Sequence, residues 1–151
     1  MVKSDIQKIK IDIAGGESAL SLMLCRDGTV GRQGNGNLPS HTVSVIGMLD
    51  GVFFMDAINQ FDEQIFAHQG VYDHPEKLGM PINYKIAFLG EKPNLKMFEF
   101  RMGIENKDVG NLLPYFDQYI KSIVANTDVW YQSALKEQIQ NSKTKPWWKF
   151  W

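Results

Sequence analysis

The sequence predicts an α+β domain: a mainly antiparallel sheet of about five strands with two or three helices packed on one face. Three observations carry this. Apolar residues recur with a period of two at Ile9-Ile11-Ile13, at Leu20-Leu22-Leu24, at Ile82-Tyr84-Ile86-Phe88 and at Phe98-Phe100-Met102. That spacing lines one face of a strand. Two other stretches space their apolar residues three or four apart, as one face of a helix does. The links between neighbouring strands are short, which favours antiparallel pairing.

In chain order, Lys8, Lys10 and Asp12 alternate with the isoleucines of the first strand, and Ala14 to Ser18 is a turn. Leu20, Leu22 and Leu24 form a second strand, and Asp27-Gly28 is a two-residue hairpin signal. A third strand begins near Thr29 and ends by Gly31 to Gly34. The segment GRQGNGNLPS, residues 31–40, is a loop by its Gly, Asn and Pro content. His41 to Ile46 is a short strand or an extended lead-in.

A helix is predicted from about Asp50 to Ala67, with Phe54, Ile58, Phe61 and Ile65 on one face, and Gln69-Gly70 ends it. Val71 to Pro81 is a long loop. The strands around Ile86 and Phe98 then form the clearest hairpin, turning at Gly90 to Asn94. A second helix runs from between Asn111 and Pro114 to about Ala125, burying Leu112, Phe116, Ile120 and Ile123. Thr127 or Asp128 caps a third helix that ends near Gln140.

With 151 residues, 44% of them hydrophobic, the chain is of single-domain size and can bury a core without staples. We assign residues 1–142 to one domain and 143–151 to an aromatic, basic tail. Sixteen basic residues balance 17 acidic ones, which argues against nucleic acid as a partner, since phosphate binding favours a basic excess. Cys25 is the one cysteine, so no intrachain disulfide forms. No uninterrupted apolar stretch resembles a secretory signal or a membrane span, and the expected compartment is the cytoplasm.

Four groups of residues could carry function. The first is the tail TKPWWKFW, in which Trp147, Trp148, Phe150 and Trp151 are interleaved with lysine. Each ring could bury about 150–250 Å², so something should cover them. The cover is the domain's own core, another protein, or a membrane surface, where a segment so short binds weakly. Stacking on single-stranded nucleic acid is disfavoured by the charge balance.

The second group is His68 with Asp73, His74 and Glu76. These types can ligate metals or move protons, but the two histidines are six apart and match no metal-site spacing. A histidine at a helix C-terminus and ordinary turn chemistry explain them. The third is the loop with Gly31, Arg32, Gly34, Asn35 and Gly36. Its amides and Arg32 could cradle an anion, although it has neither a Walker nor a G-x-G-x-x-G pattern. The fourth is Cys25, which closes an apolar run and reads as a small buried hydrophobe rather than a nucleophile.

No catalytic constellation stands out, and no cofactor or metal is called for. The leading expectation is a non-catalytic protein-binding module, of which a small inhibitor or immunity-type protein would be one form. The tail is its candidate contact, and its partner is another protein or a second copy of the chain. The alternative is a small enzyme or ligand-binding protein with a pocket near loops 31–41 and 69–81. There Arg32, His41, His68, Asp73, His74 and Glu76 would be the polar groups.

Overall fold

The computed structural model describes residues 1–15, 18–34, 44–73, 82–91, 94–102 and 112–144. Its strands are β1 (Lys8–Gly15), β2 (Ser18–Cys25), β3 (Thr29–Gly34), β4 (Val45–Met48), β5 (Gly70–Asp73), β6 (Ile82–Leu89) and β7 (Leu95–Met102). The helices are α1 (Val52–Gln60) and α2 (Leu112–Thr144), with 3-10 turns at Lys3–Asp5 and Glu63–His68.

All seven strands join one sheet in the order β4-β3-β2-β1-β6-β7-β5. Every pairing is antiparallel except β5 with β7, so the sheet is mixed. The architecture is α+β as expected, but the sheet has two strands more than the five expected. The short stretch before Ile46 is a paired strand, though it starts at Val45. Val71 to Asp73 lies in β5 rather than in a loop, because β7 offers that segment a free edge for Gly70 to pair with Phe98 and Asp73 with Arg101.

The period of two decides which way the sheet faces. Ile9, Ile11 and Ile13 of β1, Leu20, Leu22 and Leu24 of β2, Ile86 and Phe88 of β6, and Phe98 and Phe100 of β7 are all buried in one cluster. The same cluster holds Phe54, Ala57 and Ile58 of α1 and Phe116, Ile120 and Ile123 of α2. Both helices therefore cover this face. Lys10, Ala14, Asn83, Lys85 and Arg101 alternate with the core residues and stand on the other, open face. At the centre of the core, Phe61 lies 4.5 Å from Phe88 and Phe98 lies 4.8 Å from Phe116, ring centre to ring centre.

Three local expectations are corrected. The hairpin between β2 and β3 is not a two-residue turn: Gly28 N–H donates to Cys25 O at 3.0 Å, and Gly28 has φ 100°. This is a three-residue connection with a left-handed residue before the strand. The helix predicted over 50–67 breaks at Phe61 and Asp62. Asp62 is extended, its carboxylate accepts from Gln64 N at 3.0 Å, and its own N–H donates to Tyr115 Oη at 2.9 Å. A local cap and a tertiary bond together outweigh one more helical turn.

The two C-terminal helices are a single helix, α2. Thr127 caps nothing: its hydroxyl donates back to Ile123 O at 2.9 Å and receives the Arg32 guanidinium at 2.9 Å. No proline or glycine interrupts residues 115–144, so the helix continues through the position where a cap was expected. It also runs to Thr144, past Gln140, near which the third helix was expected to end.

Contacts along α2 fix its course over the sheet. Phe116 packs on Phe98 and Phe100 of β7, Thr127 meets Arg32 of β3, and Leu135 packs with Val45 of β4. Phe116 and Leu135 are about 29 Å apart along the helix, and β7 and β4 are five strand spacings, about 24 Å, apart. The helix thus crosses the sheet from one side to the other, and its last nine residues continue for about 14 Å past its contact with the edge strand.

Candidate interaction surface

The structure distributes the sequence-predicted site residues widely. Arg32 lies within β3, not in a loop, and is 1% exposed. Its donors are directed inward: Nε to Gly34 O at 3.0 Å, Nη1 to Val124 O at 3.1 Å and Thr127 Oγ1 at 2.9 Å, and Nη2 to Asp128 Oδ1 at 3.3 Å. The guanidinium also stacks 4.3 Å over the Tyr131 ring, whose hydroxyl accepts from Gly34 N. Burial lowers the Arg32 pKa, and the neighbouring Asp128 carboxylate opposes that shift. The group acts as a strut between β3 and the middle of α2 rather than as part of an anion cradle.

Asp73 ends β5, at the far edge of the sheet from β3. Five strand spacings, about 24 Å along the sheet, separate it from Arg32, so the structure does not bring these two together. His74, Glu76, His41, Trp147, Trp148, Phe150 and Trp151 lie outside the described residues. Cys25 is 8% exposed, and burial raises its thiol pKa, which disfavours the reactive thiolate. Among the described residues no group of three or more His, Cys, Asp or Glu is placed to hold a metal. No described helix is long and apolar enough to cross a membrane.

His68 ends the second 3-10 turn and lines a cleft of ≈ 350 Å³ with Ile65, Leu112 and Tyr115. The Tyr72 hydroxyl donates to the His68 carbonyl oxygen. Tyr115 forms the wall between this cleft and a smaller one bounded by Gln60, Gln118, Tyr119 and Ser122. Burial raises the Tyr115 pKa, and the bond from Asp62 N–H partly offsets this.

Among the described residues, the surface most clearly short of a partner is the β4 edge. Ile46 is 71% exposed and Met48 is 68% exposed, the two largest exposures among the described strand hydrophobics. Both side chains point to the open face. Their neighbours Val45 and Gly47 point inward, under Leu135 and Trp130 of α2. Leu49 N–H donates to Gly28 O at 2.8 Å. Antiparallel bonding alternates, so in the register Val30↔Gly47 and Arg32↔Val45 the β4 residues bonded to β3 are Gly47 and Val45. The N–H and C=O groups of Ile46 and Met48 therefore face outward from the sheet.

The segment Val45-Ile46-Gly47-Met48 carries no charge and no proline, the devices that usually blunt an edge. Sequence reasoning ends its short strand or extended lead-in at Ile46 and does not single out Met48. The available signal is an uncharged run from His41 to Leu49 bounded by Asp50. No family model, curated protein or solved structure matches the chain.

Proposed function

We propose that the protein is a non-catalytic interaction module that engages another polypeptide along the β4 edge, with the aromatic tail as a second contact. The observation that supports this reading is the edge itself: two outward-facing backbone pairs beside exposed Ile46 and Met48. Main-chain groups of an open edge supply affinity for an added strand, and side chains at alternate positions supply selectivity. Helix α2 passes over the same edge and ends at Thr144, three residues before Trp147 in sequence. Helix α2 therefore ends on the side of the sheet where the edge is open.

Native mass spectrometry of the full chain isolated from its own cells tests the reading. The parent should carry a second polypeptide, and the double variant Ile46→Lys, Met48→Lys should be bare. A parent without any bound chain, or a variant that keeps it, would refute the assignment.

A second reading rests on the cleft at Ile65, His68, Leu112 and Tyr115. Its walls are apolar with one imidazole, which suits a small aromatic or aliphatic ligand. Fragment titration followed by the His68 ring resonances tests it, and resonances that never move count against it.

A further inference from the structure

The exposed strand β4 is complementary to itself, and we infer that the polypeptide it engages is a second copy of this chain, paired antiparallel edge to edge about a two-fold axis through Gly47. The inference rests on the reading of β4 as a contact edge and adds the identity and register of the partner.

The hydrogen-bond pattern selects the register. Outward N–H and C=O groups belong to Ile46 and Met48, because Gly47 and Val45 bond to β3. Antiparallel strands exchange both bonds between directly opposed residues. Ile46 of one copy opposite Met48 of the other satisfies this, and the two-fold repeats it with the roles exchanged. Four main-chain hydrogen bonds close across the seam. The same register keeps the faces matched, since opposed residues share a face: Ile46 meets Met48 twice on the open face, and four apolar side chains that are exposed in the single chain cover one another.

The residue on the axis is Gly47. Opposed residues between bonded pairs approach to about 4.5 Å between Cα atoms, and here neither has a side chain. The inward side of Gly47 is already filled, because a Cβ there would lie 3.0 Å from Trp130 Cζ2. No charge in residues 45–48 opposes the pairing of identical strands.

Leu135 of α2 crosses β4 at Val45, two residues or about 7 Å along the strand from the axis. The two-fold places the second α2 an equal distance on the opposite side. The two overhanging ends, residues 136–144, then lie antiparallel on opposite sides of the axis.

Sedimentation velocity on the purified full chain over a concentration series tests the inference. The parent should approach twice the chain mass, and Ile46→Lys, Met48→Lys should sediment as a single chain with an unchanged circular dichroism spectrum. A register test stands beside it. Under oxidation, the pair Ile46→Cys, Met48→Cys should give a covalent dimer, because opposed bonded residues sit about 5.5 Å apart. Either single cysteine should not, because identical positions are displaced by two residues and lie roughly 8 Å apart.

A parent that stays at one chain mass, a dimer that survives both lysines, or cross-linking by a single cysteine each overturns the proposal. A monomer that nevertheless carries a different protein in native mass spectrometry refutes self-pairing alone and leaves the interaction reading standing.

Discussion

Arg32 shows how one residue can look like a binding group and be structural. In sequence it stands among glycines and asparagine, the surroundings of an anion-binding loop. In the fold it is among the largest fully buried side chains, held by Gly34, Val124, Thr127 and Asp128 and stacked on Tyr131. A planar guanidinium with five donors suits this mixture of carbonyls, hydroxyl, carboxylate and ring. Replacing Arg32 with Met removes the strut and leaves Gly34 O and Thr127 with fewer partners. Thermal unfolding of Arg32→Met should show a loss of about 3 kcal/mol, a fall of roughly 6–12 °C for a domain of this size. Asp128→Asn should lose less than about 1 kcal/mol, because half of the Asp128 side chain is exposed.

At the scale of elements, the β2–β3 hairpin anchors the edge strand. Gly28 adopts φ 100°, and its carbonyl accepts from Leu49 N–H at 2.8 Å. A Cβ on Gly28 would stand 1.9 Å from Leu49 O. Gly28→Ala therefore combines an unfavourable left-handed conformation with a backbone clash at the residue that follows β4. The expected loss is about 2–4 kcal/mol, read from the midpoint of urea unfolding. Amide exchange should rise first at Gly47 and Leu49, whose N–H groups bond to the hairpin.

Elements differ in how far local pattern reveals them. Strands β1, β2, β6 and β7 are legible because side-chain alternation is a property of each strand alone. Strand β5 is not, because four residues that follow a helical turn become a strand only where β7 has a free edge. Thr127 and Asp128 form a cap in sequence terms, and Arg32, 95 and 96 positions away, converts them into the middle of a helix.

Across the whole molecule, one covered face of the sheet concentrates the aromatic groups, the buried tyrosines Tyr119 and Tyr131 among them. Tyr119 is 6% exposed and donates to Ala57 O at 2.6 Å. Burial raises its pKa far above the ordinary value of 10.0, and neighbouring Tyr115 adds to this. The unfolded chain then ionises Tyr119 first as pH rises, so the stability tied to the neutral phenol is complete below about pH 10 and is lost above it. The loss should be about 1.4 kcal/mol per pH unit from this residue. Urea midpoints between pH 8 and 12 should fall more steeply in the parent than in Tyr119→Phe. The variant should be less stable by about 1 kcal/mol at pH 8, having lost one hydrogen bond. Equal slopes would show that Tyr119 ionises without unfolding.

The sequence by itself determined the α+β class, five of the strands, the buried stripes of both helices and the presence of an aromatic tail. Those features follow from periodicities and compositions that neighbouring residues carry. Only the tertiary structure decided that Arg32 is a strut, that Arg32 and Asp73 lie on distant strands, and that Ile46 and Met48 stand on an open edge. Strand order is set by which edges remain unpaired once the whole chain has collapsed. The exposure of a four-residue segment such as Val45–Met48 is therefore a property of the complete sheet, and no window of sequence contains it.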